Sequence, residues 1–237
     1  MFVYQELPNV FEGDAQTASN YKRLQRFLRD FDADMIVLSR ILIGWLQAKT
    51  GLKAPYILSL DRARRQTGRL RETNWKFGST EINVLMLAIV YKKIAFPVVW
   101  MLLGKAGNSS TEERKSLLNR YIEAFGTESI AYVTADREFA GKQFATWLSK
   151  QGISFVMRLR GNVRVANAKG EICWAQFLFQ SGQVGMLYEL GQRRVFGKTD
   201  CLALFVSGMR VYSPRINDLP TGTIGLLLAT APHRAVI

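Results

Sequence analysis

The chain has few of the residues that usually build disulfide frameworks and transition-metal sites. Its 237 residues include two cysteines, Cys173 and Cys201, and one histidine, His233. Because the cysteines are far apart in sequence and form no CxxC motif, they argue against a disulfide scaffold and a cysteine zinc site, and they fit a reducing compartment. One histidine excludes a multi-histidine metal centre and argues against a histidine-based catalytic triad.

The sequence also lacks an apolar run long enough to cross a bilayer. Its longest apolar stretch, residues 82–103, is interrupted by Lys92, Lys93 and Pro97. The uninterrupted pieces are about ten residues long, whereas a membrane-spanning helix needs about 20. The first residues include acids such as Glu6, where a signal peptide would have a basic start and an apolar run. These patterns predict a cytoplasmic protein without a membrane partner.

Acidic residues are outnumbered by basic ones. The chain has 19 Asp and Glu against 32 Lys and Arg, which gives a net charge of +13. Such an excess favours a polyanionic partner, with nucleic acid ahead of an anionic membrane. Two basic clusters are candidate phosphate contacts: Lys22, Arg23, Arg26 and Arg29 on a predicted helix face, and Arg158, Arg160 and Arg164 near a predicted strand. A charged run is also typical of a solvated face, so both interpretations stay open.

Hydrophobic periodicity divides the chain into three predicted parts. Residues 1–54 form a helical region, with an amphipathic helix over 17–31 and a second helix that Asp32-Ala33-Asp34 opens and Gly51 and Pro55 end. The pattern over residues 55–160 is β-β-β-α-β-α-β, which predicts a mixed α/β sheet with one antiparallel part. Residues 161–237 lose the helical period and are predicted to form a β-rich segment.

Local signals fix the ends of some of these elements. Ser110 and Glu113 have the spacing of a capping box that starts a helix, and Gly126 is the predicted end of that helix. Lys92 and Lys93 separate two β-rich runs and predict a hairpin turn between them.

Two aspartates are candidate site residues because each ends an apolar predicted strand. Asp61 and Asp136 end such strands, and each is followed at once by an arginine, Arg62 or Arg137. Ligands of open α/β sheets collect at the carboxyl ends of the strands. Carboxylates at adjacent strand ends are hard oxygen ligands for Mg²⁺, and two such ions about 4 Å apart serve phosphodiester cleavage. The alternative is that both aspartates only cap the segments that follow by accepting backbone N–H groups.

Four short motifs resemble those of bacterial DDE transposases of the IS-four-like group, and they occur in the same order. They are Leu60-Asp61-Arg62; Thr73-Asn74-Trp75 continued to Gly78; Gly107-Asn108-Ser109 with Glu113-Arg114; and Asp136-Arg137-Glu138-Phe139 followed by a helix with Trp147-Leu148. The resemblance runs from about Tyr21 to the C-terminus. It implies an RNase H-like catalytic core, Mg²⁺ or Mn²⁺ as cofactor, and strand transfer of an insertion element. Transposon-end DNA is the implied partner, and a homodimer is left open.

The resemblance also implies roles for individual residues. Asp61 and Asp136 correspond to the first and second metal-binding catalytic acids. Arg62 and Arg137 are then candidate DNA contacts, while Glu138 and Trp75 support the site. For Arg137 and Glu138, a surface ion pair is an open alternative.

The sequence departs from the family pattern in two places. Residues 63–72 separate Asp61 from the Thr73-Asn74-Trp75 motif, so Asp61 can keep its place only if this arginine-rich stretch loops out; without a gap, Arg71 would take the position of the aspartate. The family's third acid is a glutamate on a later helix, and residues 231–237 stand where that helix is expected to begin. None of the late acids, Glu189, Asp200 and Asp218, lies in a helical pattern.

Three functions therefore remain in competition. The first is a DDE transposase that is deficient because its third acid is missing. The second is a non-catalytic remnant that binds DNA or inhibits an intact transposase. The third, more distant, is a basic RNA-associated structural protein.

Overall fold

The computed structural model describes residues 19, 34–62, 65–67, 70–72, 75–77, 80–197, 199, 201–211 and 223–230. Apart from residue 19, the predicted helix over 17–31, with Lys22, Arg23, Arg26 and Arg29 on its basic face, lies outside the described residues. So do residues 231–237.

Three α-helices and thirteen strands are described. The helices are α1 (Met35–Thr50), α2 (Thr111–Phe125) and α3 (Lys142–Lys150), and there are short 3-10 turns at Thr127–Ser129 and Ala175–Phe179. The strands are β1 (Tyr56–Arg62), β2 (Arg65–Thr67), β3 (Leu70–Glu72), β4 (Trp75–Phe77), β5 (Thr80–Tyr91), β6 (Ile94–Leu103), β7 (Ile130–Ala135), β8 (Phe155–Leu159), β9 (Arg164–Ala166), β10 (Ile172–Trp174), β11 (Leu187–Val195), β12 (Leu202–Val211) and β13 (Thr223–Ala229).

Helices α1 and α2 begin and end where the sequence signals predict. The Asp34 side chain caps α1 by accepting the N–H groups of Ile36 and Val37, and Gly51 ends that helix in the left-handed region with φ of 69°. Ser110 and Glu113 form the predicted capping box at the start of α2. The caps at Asp34 and Ser110 fix where α1 and α2 begin, and Gly51 fixes where the chain leaves α1 towards β1.

The centre of the sheet has the strand order β6-β5-β1-β7-β8. Strand β5 is antiparallel to both β1 and β6, while β7 is parallel to β1 and β8 is parallel to β7. Helices α2 and α3 supply the two crossovers, and α2 contacts both α1 and α3. This arrangement is RNase H-like, and it confirms the predicted mixed α/β sheet with flanking helices.

The turn between β5 and β6 illustrates how local sequence sets this order. Lys92 and Lys93 have φ angles of 49° and 68°, both in the left-handed region. Two consecutive residues with positive φ form a tight turn whose twist matches that of the flanking strands. The predicted hairpin turn is therefore confirmed.

The β-rich segment continues the same sheet. Strand β13 pairs antiparallel with β8, and beyond it follow β12, β11, β9 and β10. Together with β4, which pairs with β5, eleven strands form this one sheet. The predicted β-rich character is confirmed, although the Ala175–Phe179 turn is helical where no helical period was expected. Ala175 and Phe179 are both buried, which anchors this short turn against the core. The predicted boundaries at residues 54 and 160 stay predictions, and backbone pairing passes across the second one.

Residues 63–72, which must loop out if Asp61 keeps its place, contain two short strands that form a two-stranded sheet of their own. Strands β2 and β3 pair antiparallel, with Arg65 opposite Glu72 and Thr67 opposite Leu70. Strand β4 then pairs with the start of β5, with Trp75 opposite Ile82. In the sequence, Gly68 is a signal for such a pair, because a glycine between two short β-rich runs is typical of a β-hairpin.

Candidate active site at the strand ends

The parallel strands β1, β7 and β8 bring three predicted site residues together. Leu60 pairs with Ala135, and Ala135 pairs with Met157. Asp61, Asp136 and Arg158 each come one residue later, so they lie side by side at the carboxyl ends of three adjacent strands. Because residues at matching positions of parallel strands point to the same face, their side chains share one side of the sheet.

Burial along the strands shows which side that is. Tyr56, Leu58, Leu60 and Arg62 of β1 are buried, whereas Asp61 is exposed. Strand β8 has the same alternation, with Met157 and Leu159 buried and Arg158 exposed. The two aspartates and Arg158 therefore occupy the face opposite the hydrophobic core.

These side chains line an open cleft of about 270 Å³. The described lining residues are Ser59, Leu60, Asp61, Thr134, Ala135, Asp136 and Arg158. A guanidinium nitrogen of Arg158 (Nη1) lies 3.2 Å from the Asp136 Oδ1 oxygen, in a pair whose side chains are 60% and 31% exposed. The Asp61 carboxylate accepts the backbone N–H of Arg62 at 2.7 Å. Asp61 thus accepts a local backbone N–H, as the capping alternative predicts, and also lines the cleft.

A buried ion pair lies behind the cleft, on the core side of the sheet. Arg62 donates from Nε and Nη2 to the two carboxylate oxygens of Glu138, at 2.8 and 2.7 Å. Their side chains are only 4% and 12% exposed. Arg62 also donates to the carbonyl of Gly107 at 2.6 Å. The pair joins the residue after Asp61 to the turn after Asp136, so it ties the two acidic strand ends together.

The burial of Arg62 argues against one predicted role. With 5% of its surface exposed and its donors directed at Glu138 and Gly107, Arg62 is not placed to contact DNA phosphate. The reason is strand alternation: β1 continues past Asp61, so Arg62 falls on the same face as Leu60. Glu138, predicted as a supporting residue, is the partner that holds Arg62 in that position.

Two further buried polar residues surround this ion pair. Asn83 of β5 donates to the carbonyl of Gly107 at 2.7 Å and is fully buried. Arg114 of α2 donates from Nε to the Ser109 hydroxyl at 2.9 Å and lies over the Phe139 ring, 5.1 Å from its centroid. Burial lowers the pKa of the Arg114 guanidinium, and the nearby Glu138 carboxylate acts in the opposite direction.

Neither contact was foreseen from the sequence. Asn83 had no distinguishing pattern, whereas Arg114 belonged to a quoted motif without an assigned role. Together they hold the loop before α2 against the Arg62–Glu138 pair.

The other predicted site residues are spread around this centre. Arg137 and Arg160 are exposed, next to Asp136 and just beyond β8. Trp75 begins β4, and its backbone alone is described. The cluster of Lys22, Arg23 and Arg26 lies outside the described residues. The guanidinium of Arg164 sits over the Trp174 ring, 3.8 Å from the centroid, and so belongs to a local stacking contact.

The donor set suits one hard divalent cation better than two. Mg²⁺ is commonly held by one or two carboxylates together with water and substrate phosphate oxygens, which Asp61 and Asp136 match. Within the part of the chain that the structure describes, no group of three or more Asp, Glu, His or Cys side chains is clustered in a way that could hold a metal ion. A second ion would therefore need ligands beyond these two aspartates.

An RNase H-like sheet with carboxylates at adjacent strand ends is an architecture suited to phosphoryl transfer on nucleic acids. The chain belongs to the family described as Transposase DDE domain, whose model matches residues 53–230. Membership supports a function in DNA transposition and recombination and implies DNA binding, and the family normally uses a divalent metal. No curated protein matches the chain. None of the described helices has the length and apolar character needed to cross a membrane.

Proposed function

We propose that Asp61 and Asp136 are the catalytic, metal-binding acids of a DNA transposase of the IS-four-like group. The observation that carries this proposal is their position: two carboxylates at matching ends of neighbouring parallel strands, in one cleft. Asp61 and Asp136 would hold Mg²⁺ or Mn²⁺, which would supply the Lewis-acid chemistry of phosphodiester cleavage and strand transfer.

The remaining residues of the centre divide into two groups in this proposal. Arg137, Arg158 and Arg160 are exposed near the acids and would contact phosphates of transposon-end DNA. Arg62 and Glu138 act from the core side as positioning residues, because their ion pair fixes the strand ends that carry the two acids. Trp75 and the basic cluster at Lys22, Arg23 and Arg26 keep their proposed supporting and DNA-binding roles.

We further propose that the 237-residue polypeptide by itself is deficient in strand transfer. Asp61 and Asp136 supply ligands for one ion, and the described residues bring no third carboxylate to them. A two-metal reaction would lack a ligand and a negative charge. The alternative function is a DNA-binding remnant or inhibitor, which is favoured by the net charge of +13 and the exposed arginines beside the cleft. The division at residues 54 and 160, homodimerisation and a cytoplasmic location belong to the same proposal.

A paired nicking and binding experiment tests this function. Supercoiled plasmid is incubated with the chain and Mg²⁺ or Mn²⁺, and binding to a labelled duplex is followed by fluorescence anisotropy. A transposase gives weak metal-dependent nicking that is lost in Asp61→Asn and Asp136→Asn, whereas the control Glu112→Gln, at an exposed helix position, keeps it.

Three other outcomes would change the conclusion. Tight DNA binding without nicking, unaltered in Asp136→Ala, indicates the remnant. Nicking that survives both aspartate substitutions contradicts the assignment of the acids. A preference for RNA over DNA at matched salt supports the RNA-associated class instead.

A further inference from the structure

Arg158 is the cation that the cleft itself provides. Among its seven described lining residues, Asp61 and Asp136 are acidic and Arg158 is basic. The 3.2 Å contact places the Arg158 guanidinium against Asp136, one of the two proposed metal ligands. From the other neighbouring strand, β13, the residue opposite Arg158 is Leu227, which offers no charge. Of the described neighbours on the adjacent strands, Asp136 is therefore the one that holds this guanidinium by charge.

We propose that Arg158 is the counter-ion of Asp136 when metal and DNA are absent. On binding, a divalent cation replaces Arg158 at the Asp136 carboxylate, and a DNA phosphate becomes the new partner of Arg158. This inference rests on the proposed metal-binding role of Asp61 and Asp136. A guanidinium and a divalent cation at one carboxylate repel each other, so occupancy of the metal site displaces Arg158. A phosphate that engages Arg158 leaves more of the Asp136 charge to the metal.

The geometry allows this exchange with only a small loss of stabilising free energy. The Arg158 side chain is 60% exposed, so it can turn away from Asp136 without losing a buried environment. Ion pairs of such exposure contribute little to stability. The Arg62–Glu138 pair behind the strands is separate and buried, so the strand ends stay in place while Arg158 moves. The expected consequence is positive and reciprocal coupling: DNA tightens metal binding, and metal tightens DNA binding by the same factor.

Mn²⁺ binding measured by electron paramagnetic resonance tests the inference without relying on activity. Arg158→Gln is expected to tighten Mn²⁺ binding by about two- to five-fold, the range for one exposed charge interaction. Arg158→Lys keeps the charge and is expected to bind Mn²⁺ as the unsubstituted chain does. Arg160→Gln removes the same charge just beyond β8 and measures the long-range part of the effect, expected to be under about two-fold.

A second titration with a short DNA duplex present measures the coupling. In the unsubstituted chain DNA lowers the Mn²⁺ Kd, and in Arg158→Gln this effect shrinks towards none. An unchanged or weaker Mn²⁺ affinity in Arg158→Gln overturns the inference, as does an equal gain in Arg160→Gln. Circular dichroism verifies that each variant is folded; if Arg158→Gln is not, then Arg158 is structural and the inference is likewise overturned.

Failure of the metal site itself gives a different pattern. Mn²⁺ binding that is unaffected by Asp136→Asn contradicts the proposed ligands, whatever Arg158 does. If Asp136→Asn abolishes Mn²⁺ binding but Arg158→Gln has no effect on it, the proposed ligands are supported and only the exchange is refuted.

Discussion

The buried Arg62–Glu138 pair gives the sharpest quantitative prediction about this fold. Replacing Arg62 by alanine leaves the Glu138 carboxylate, whose side chain is 12% exposed, without its bidentate cation. It also removes the donor to the Gly107 carbonyl. Removing one partner of a buried ion pair costs about 3–5 kcal/mol, because the remaining charge stays desolvated. Glu138→Ala is expected to cost a similar amount, since Arg62 is buried even more deeply.

The double variant separates the pair from its surroundings. Arg62→Met with Glu138→Leu replaces both charges by apolar groups and is expected to cost clearly less than the sum of Arg62→Met alone and Glu138→Leu alone. Urea unfolding followed by circular dichroism measures the free energies of unfolding. An unchanged slope of the free energy against urea concentration shows that all variants expose the same surface on unfolding, so their free energies can be compared.

An exposed ion pair in the same protein provides the control. Lys115 and Glu112 of α2 are 2.8 Å apart, but the Glu112 side chain is 79% exposed. Glu112→Ala is expected to cost no more than about 0.5 kcal/mol. If Arg62→Ala costs as little as this control, or if the two single effects simply add, then the pair does not tie the strand ends together and the reasoning is refuted.

The surroundings of Glu113 and Tyr121 shift the pKa values of both side chains, so each makes stability depend on pH. Burial acts to raise the pKa of the Glu113 carboxyl, but Lys105 and the Ser110 backbone N–H outweigh it and lower the pKa below 4.5. The contribution of Glu113 to stability is therefore present above pH 4.5 and is lost as the pH falls through the lowered pKa. Thermal unfolding from pH 6 to 3 should show a loss of stability that Glu113→Gln lacks. Burial raises the pKa of Tyr121 from 10.0 to about 12, so its contribution is complete below pH 10 and disappears as the pH rises through about 12. Absorbance at 295 nm should show a late-titrating component that is smaller by one tyrosine in Tyr121→Phe, and full titration of all tyrosines by pH 11 in the folded state would contradict this.

The parts of the fold that sequence could predict are those set by neighbouring residues. Such local features are the capping box at Ser110 and Glu113 and the turn at Lys92-Lys93. Each involves residues within one helix turn or one hairpin, so a few neighbouring residues carry the whole sequence signal. The apolar strands before Asp61 and Asp136 are equally local. That the two aspartates meet in one cleft followed from the rule that parallel strand ends share an edge of the sheet.

The parts that sequence could not predict depend on pairing between distant segments. Asp61-Arg62 and Asp136-Arg137 look alike in the sequence, yet Arg62 is buried and Arg137 is exposed. The difference arises because β1 extends through Arg62, whereas β7 ends before Asp136. Likewise, the ion pair of Arg158 with Asp136 requires the register between β7 and β8, which no local pattern specifies.

Alternation in β1 also restricts how this protein can change length. Inserting or deleting one residue between Leu58 and Asp61 would exchange the faces of Asp61 and Arg62, sending the acid into the core and the arginine into the cleft. Lengthening after Arg62 has no such effect, because both side chains are already placed. Strands β2 and β3 begin just beyond that point. The β2–β3 pair therefore follows Asp61 at the nearest position where extra residues leave Arg62 on the buried face and Asp61 on the exposed face of the sheet.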